Sequence, residues 1–88
     1  MSLSNQEIFS RVVAILAREF DVSADEVSMQ TNLEDDLDLD SLDAVALASW
    51  VEEELGLALS DDEIERMRSM DQIVSVVSAR LRAVEKAG

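Results

Sequence analysis

Apolar residues recur every three to four positions in three segments of this 88-residue chain, the spacing of amphipathic helices. The predicted helices cover residues 5–19, residues 41–55 and a last stretch from Ser69 or Met70 to Lys86. Asp40 is the expected N-cap of the second helix, and Gly56 is its expected C-terminal stop. The pattern therefore constrains most of the chain to helix.

The segments between these helices complete the prediction. A short acidic helix follows Ser60, and residues 21–40 are predicted to form a long loop with one helical turn after Ser23. Residues 73–77 could form a strand, but their periodic pattern continues for two more helical turns. The predicted fold class is all-α: a four-helix bundle of three longer helices and one short helix, in a single domain over residues 1–88.

Helix starts are marked by Ser or Thr with Glu or Gln three positions later, which is the spacing of a capping box. The five candidate boxes are Ser4/Glu7, Ser23/Glu26, Thr31/Glu34, Ser60/Glu63 and Ser69/Gln72. A sixth match, Ser49/Glu52, lies inside a predicted helix, and we interpret it as a coincidence.

Missing residue types exclude several kinds of chemistry. The chain has no Cys and no His, so a thiolate nucleophile, a disulfide, a zinc site and a histidine base are all excluded.

Its apolar runs are far shorter than the roughly 20 residues of a membrane span, and its first residues lack the layout of a signal peptide. A free-standing cytoplasmic monomer is expected.

Negative charge is concentrated in one part of the chain. Twenty acidic residues stand against seven basic ones, for a net charge of −13, and residues 34–65 contain thirteen acids and no Lys or Arg. Such a surface disfavours nucleic acid and anionic membranes as partners. It predicts an acidic face that steers a basic protein partner.

The sequence from Leu37 to Asp43 resembles the phosphopantetheine attachment motif of acyl carrier proteins, whose core is Asp-Ser-Leu and stands here at Asp40-Ser41-Leu42. The resemblance extends over nearly the whole chain, because the helix order, the acids at 52–54 and the acidic third helix also fit. It implies a 4′-phosphopantetheine arm, derived from coenzyme A and attached to Ser41 by a phosphopantetheinyl transferase. It also implies a carrier of acyl thioesters without catalytic activity of its own.

Helical spacing places one set of residues on the outward side of the second helix and another set toward the bundle interior. By the resemblance, the outward face meets acyl synthases and acyltransferases that have basic docking patches. The predicted docking residues are Asp40, Leu42, Asp43, Val45, Glu52 and Glu53. Carrier proteins of the family that the motif resembles can shelter an acyl chain among such inward residues, and core packing is the simpler explanation of the same set. The acyl-pocket lining implied by the resemblance is Leu47, Val51, Leu59, Ile64, Met67, Ile73 and Val77. A tryptophan at position 50 is unusual for the family that the motif resembles. Two roles stay open for Trp50: shaping the pocket, or packing at its edge.

Two other functions were weighed against the carrier. Asp36, Asp38 and Asp40 match the first ligands of a calcium-binding EF-hand loop, but Ser41 and Leu47 occupy the positions that require Gly and Glu. A dedicated calcium site is therefore excluded. An acidic helical adaptor that is never modified at the serine remains the alternative.

The pathway served stays open between fatty acid, polyketide and specialised lipid synthesis. Three residues depart from the family pattern: Asp38 stands where Gly is common, Ala46 where Glu is common, and Ser60 where Pro is common. These departures leave room for a specialised carrier.

Overall fold

A computed structural model describes the backbone of residues 3–87 and the side chains of residues 3–83. Over this range the chain forms five α-helices and one 3₁₀ turn, and no β-strand. The helices are α1 (Asn5–Glu19), α2 (Leu33–Leu37), α3 (Ser41–Leu55), α4 (Asp61–Glu65) and α5 (Met70–Ala87), and the 3₁₀ turn covers Ala24–Glu26. The all-α fold class with three longer helices is confirmed.

The first helix begins with the predicted capping box. The Ser4 side chain accepts a hydrogen bond from the Glu7 N–H, and the Glu7 carboxylate accepts one from the Ser4 N–H, each at 3.1 Å. Ser60 and Glu63 form the same reciprocal pair at the start of α4. These boxes satisfy backbone donors that the first turn of a helix leaves unpaired.

Three of the predicted boxes are wrong. Ser23 precedes the 3₁₀ turn but makes no side-chain capping bond. The Thr31 hydroxyl is turned inward, where it accepts a hydrogen bond from the Ser28 N–H at 2.8 Å. The Ser69 hydroxyl instead donates to the carboxylate of Asp71. The spacing alone therefore does not distinguish a cap from a side chain that is used elsewhere.

The short helix α2 lies inside the segment predicted as a loop. Its N-cap is Asn32, whose Oδ1 accepts from the N–H groups of Glu34 and Asp35 at 3.0 and 2.9 Å. The Asn32 N–H in turn donates to the Asp36 carboxylate at 2.7 Å. Five residues are too few to show a helical period, which is why the sequence pattern did not reveal this helix.

The core is aliphatic and is built mainly from the inward faces of α1, α3 and α5. Its members are Ile8, Val12, Ile15, Leu16, Leu33, Leu47, Ala48, Val51, Leu57, Leu59, Met67, Met70, Ile73, Val74, Val76 and Val77, each at most 9% exposed. Burial of these side chains is the main force that holds the helices together.

Backbone hydrogen bonds fasten the loop before α3 to the start of α5. The Leu33 N–H donates to the Arg68 carbonyl at 2.9 Å, and the Met70 N–H donates to the Thr31 carbonyl at 2.9 Å. A third bond joins the Asp71 N–H to the Met29 carbonyl at 3.0 Å. These three hydrogen bonds set the position of α2, and with it the path of the chain into α3.

Candidate functional site at the start of helix α3

Ser41 is the first residue of α3, and its side chain is exposed. The helix is capped by its neighbours: the Asp40 carboxylate accepts from the Asp43 N–H at 3.0 Å, and the Asp43 carboxylate accepts from the Asp40 N–H at 3.2 Å. Asp40 is therefore the N-cap, as predicted, and Asp43 completes a capping box in which Asp takes the place of Ser or Thr at the N-cap and of Glu or Gln three residues later. The cap leaves the Ser41 hydroxyl uninvolved, at a surface that another protein can reach.

The first turn of α3 also offers backbone donors. Among the described residues, the N–H groups of Ser41 and Leu42 have no hydrogen-bond acceptor. Such groups, together with the helix dipole, favour an anion at a helix N-terminus. A phosphodiester on the Ser41 oxygen would lie beside these donors, although Asp40 and Asp43 add two negative charges there.

A half-open groove of about 650 Å³ begins beside Ser41 and runs between α2, the start of α3 and α4. Its walls are partly apolar and partly charged. The lining residues are Asn32, Leu33, Glu34, Asp35, Leu39, Asp40, Ser41, Ala44, Val45, Ile64, Glu65, Met67 and Arg68. The exposed serine and the adjoining groove suit a tethered, flexible group such as 4′-phosphopantetheine.

The residues predicted to line an acyl pocket fall into two groups. Ile64 and Met67 lie in the wall of this groove. The others lie in the closed core, at most 9% exposed: Leu47, Val51, Leu59, Ile73 and Val77. Only the first group therefore borders the groove that begins beside Ser41, and Met67 of that group is also a core residue at 1% exposed.

The outward face of α3 carries the predicted docking residues. Leu42 is 79% exposed and Val45 is 51% exposed, so the outward assignment from helical spacing is confirmed for both. Glu53 is also exposed, and no hydrogen bond or ion pair engages its carboxylate within residues 3–83. Asp40 and Asp43 lie at the N-terminal end of the same helix.

Besides Asp43, two carboxylates of α3 are already engaged inside the protein. The Glu52 carboxylate accepts from the Leu59 N–H at 2.8 Å, which ties the loop after α3 back to the helix. The Glu54 carboxylate pairs with Arg18 of α1. Neither contact is visible in a local sequence pattern, because the partners lie 7 and 36 residues away along the chain.

Trp50 does not line the groove beside Ser41. It lies near the C-terminal half of α3, where the Arg18 guanidinium is 5.8 Å from its ring centroid, within the range of a cation–π contact. Arg18 also bonds Glu19 at 2.7 Å and Glu54, and these bonds raise its pKa. Of the two roles left open, packing at an edge fits this position, and the edge is that between α3 and α1.

The short helix α4, which forms one wall of the groove, is held by an ion pair. The Glu63 carboxylate binds the Arg80 guanidinium of α5 and accepts from the Ser60 N–H at 2.9 Å. The bonds from Arg80, followed by that from the Ser60 N–H, lower the pKa of Glu63 to about 2.

No helix over the described range is long and apolar enough to cross a bilayer, and no three potential metal-binding side chains cluster there.

Comparison with known proteins agrees with the fold and the site. Residues 10–77 match the protein family described as phosphopantetheine attachment site. An acyl carrier protein from Picosynechococcus is 38% identical over 79 residues, which are 90% of this chain and 98% of that protein. One from Lactobacillus acidophilus is 34% identical over 77 residues, which are 88% of this chain and 96% of that protein.

Solved structures show the same fold. The acyl carrier protein of Thermotoga maritima superposes with a TM-score of 0.82 at 21% identity, over 91% of this chain and 93% of that one. The acyl carrier protein of Enterococcus faecalis superposes with a TM-score of 0.72 at 28% identity, over 89% of this chain and 99% of that one.

The fold and the family match thus define a phosphopantetheine-bearing carrier domain. The chain belongs to the acyl carrier protein family. It carries acyl groups on a covalently attached 4′-phosphopantetheine, and the unmodified acidic adaptor is no longer supported.

Proposed function

We propose that Ser41 is the residue that bears the 4′-phosphopantetheine arm. The observation that supports this assignment is the reciprocal cap between Asp40 and Asp43, which fixes the start of α3 without using the Ser41 hydroxyl. The serine is exposed, two backbone donors beside it lack acceptors among the described residues, and a groove begins next to it. The chain has no His or Cys, which supports the view that it does not catalyse reactions itself.

The modification is a phosphoryl transfer. A bond forms between the Ser41 oxygen and the phosphorus that carries the pantetheine arm in coenzyme A, and the bond from that phosphorus to the bridging oxygen breaks. Adenosine 3′,5′-bisphosphate leaves, and the proton of the Ser41 hydroxyl passes to a base on the transferase. The thiol of the attached arm then carries acyl groups as thioesters. We further propose that the reaction takes place in the cytoplasm.

Intact-protein mass spectrometry tests the attachment point directly. The protein is incubated with coenzyme A and a broad-specificity phosphopantetheinyl transferase, beside Ser41→Ala and a matched control, Ser49→Ala. Ser49 is exposed on the same face of α3. We expect one phosphopantetheine on the parent and on Ser49→Ala, and none on Ser41→Ala. Modification of Ser41→Ala would move the site to another residue.

We also propose that partner enzymes dock on the outward face of α3, and that the protein acts as a monomer. The proposed contacts are Asp40, Leu42, Asp43, Val45, Glu52 and Glu53. Exposed apolar side chains among carboxylates are complementary to a partner surface that has an apolar centre surrounded by Lys and Arg. The partners are a phosphopantetheinyl transferase and the acyl synthases and acyltransferases that load and use the arm.

A third proposal concerns shelter for the acyl chain. The groove gives an entry beside Ser41, with Ile64 and Met67 in its wall. The deeper residues of the predicted pocket are packed in the core, so a long chain would have to separate them. We expect an octanoyl chain on the arm to raise the melting temperature above that of the unacylated protein, because burial of the chain stabilises the folded state. An unchanged melting temperature would place the chain in solvent.

A further inference from the structure

The exposed large hydrophobic side chains among the described residues are three in number, and all belong to α3. They are Leu42, Val45 and Trp50, at 79%, 51% and 36% exposed. At 100° per residue these three positions fall within one half of the helix circumference, opposite the buried Val51. A set of apolar side chains gathered on one exposed face is a feature of interaction surfaces, whereas single exposed apolar residues are ordinary.

Trp50 has a cation contact within the protein. Arg18 lies against its ring at 5.8 Å, and the same guanidinium is bound by Glu19 and Glu54. The two carboxylates hold the cation in place and offset its charge. Tryptophan is also one of the residue types enriched among the anchoring residues of interfaces.

The charges around these side chains restrict the partner. Asp40 and Asp43 lie at one end of the face and Glu53 lies near the other, whereas Glu52 and Glu54 are engaged internally. A matching surface would therefore have cations at two separated places with an apolar depression between them. A second copy of this chain does not fit, because its net charge is also −13.

We propose that Trp50 is an anchoring and specificity-determining contact for enzymes that act at Ser41, and that it extends the docking surface along α3 to the edge with α1. The proposal rests on the proposed attachment at Ser41. Trp50 lies nine residues after Ser41, about 13 Å along the helix axis. A standard interface buries about 800 Å² on each partner and is roughly 30 Å across. At 100° per residue Ser41 and Trp50 lie on either side of Leu42 and Val45 on the helix circumference, so an enzyme centred on those two side chains reaches both.

Steady-state kinetics with the phosphopantetheinyl transferase give the first test. Loss of an interfacial tryptophan commonly weakens binding about tenfold, so Trp50→Ala should raise KM about tenfold with kcat nearly unchanged. Trp50→Phe should recover much of the loss. Ser75→Ala, an exposed change on α5, is the matched control and should change neither constant. Circular dichroism melting confirms that each variant is folded.

A fluorine label gives a second test that needs no change at Trp50. Trp50 is the only tryptophan, so 5-fluorotryptophan adds one ¹⁹F resonance to the protein. The label is placed in Ser41→Ala, which cannot be modified, and the transferase is added at a concentration at which this variant inhibits modification of the parent. We expect the resonance to shift or broaden. An unchanged resonance under proven inhibition would overturn the role of Trp50.

The remaining outcomes separate the two proposals. If the parent is not modified at Ser41, the proposed attachment fails, whatever Trp50 does. If the parent is modified normally and Trp50→Ala has the parent's KM, only the role of Trp50 fails. A resonance that moves with the concentration of the carrier alone would identify the face as a contact between copies of this chain, which also overturns the proposal.

Discussion

Asp38 has a backbone conformation that glycine adopts more readily. It ends α2 with φ 58° and ψ 34°, in the left-handed region. The Leu39 N–H that follows donates to the Leu33 carbonyl at 2.9 Å, so a local backbone bond closes the turn at the C-terminal end of α2. This geometry explains why glycine is common at this place in the family that the motif resembles, and why the path into Asp40 survives without it.

Replacement of this residue tests the strain. We expect Asp38→Gly to raise the free energy of unfolding by about 0.5 to 1 kcal/mol, because relief of the left-handed conformation outweighs the added freedom of the unfolded chain. Thermal melting at fixed ionic strength measures the change. Asp38→Asn removes the same charge and tolerates the same conformation, so it is the control. Equal stability of the Gly and Asn variants would show that charge, not backbone strain, is responsible.

Glu53 is the residue best suited to test whether negative charge on the outward face of α3 contributes to docking. Its carboxylate is exposed and unengaged within the described side chains, whereas Asp43 caps α3 and Glu52 holds the Leu59 N–H. We expect Glu53→Lys to lower kcat/KM for the transferase by about three- to tenfold at low salt, with a smaller effect at high salt, because the charge acts on encounter. The melting temperature should remain near that of the parent. An equal effect at all salt concentrations would contradict an electrostatic role.

At the scale of the helices, α4 depends on one ion pair with α5. The Glu63 carboxylate is 13% exposed and Arg80 is 37% exposed, and the contact lowers the pKa of Glu63 to about 2 from an ordinary value of 4.5. A lowered pKa means that the charged form is stabilised by folding. The stabilisation is therefore complete above about pH 4.5 and is lost as the pH falls through about 2.

Arg80→Gln should reveal this dependence. We expect it to lower stability at pH 7 by about 1 kcal/mol, a modest value because Arg80 is partly in solvent. That loss corresponds to a melting temperature lower by roughly 4 to 8 °C in a domain of this size. The difference between parent and variant should shrink between pH 4.5 and pH 2. A difference that stays constant with pH would show that Arg80 acts through packing instead.

The helices differ in how far the sequence could predict them. Helices α1, α3 and α5 have apolar periods over 15 or more residues, and their bounds agree with the prediction. The five residues of α2 have too short a pattern, and its cap is an Asn followed by acids. Capping boxes at Ser4 and Ser60 were predicted, whereas Thr31 was wrongly assigned because its hydroxyl accepts from the Ser28 N–H in the preceding turn instead.

The features of the site also differ in how far the sequence could predict them. The exposed Ser41 and the cap at Asp40 follow from a local pattern, and both were predicted. The engagement of Glu52 and Glu54 and the contact of Arg18 with Trp50 depend on how α1 and the loop after α3 pack against that helix. No spacing in the sequence encodes these contacts. The structure was therefore needed to tell which carboxylates of α3 are engaged within the protein and which are exposed.

At the scale of the whole molecule, like charges lie close together. The protein measures 37 × 24 × 20 Å, and residues 34–65 contain thirteen of its acids and no Lys or Arg. The screening length is about 30 Å at 10 mM salt and falls below about 8 Å at 0.5 M. At low salt each carboxylate therefore acts on most of the others, whereas at high salt it acts only on its neighbours. Self-repulsion of this kind destabilises the compact state.

Salt should accordingly stabilise the fold. We expect the melting temperature at pH 7 to rise on going from 10 mM to 0.5 M NaCl, by about 5 °C for each kcal/mol of repulsion removed. The double variant Glu53→Gln/Glu65→Gln removes two exposed charges. It should melt above the parent at low salt and gain less from added NaCl, so the two curves converge. A melting temperature that stays flat or falls with salt would mean that opposing contacts, such as those of Arg18 and Arg80, outweigh the repulsion, since they too are screened.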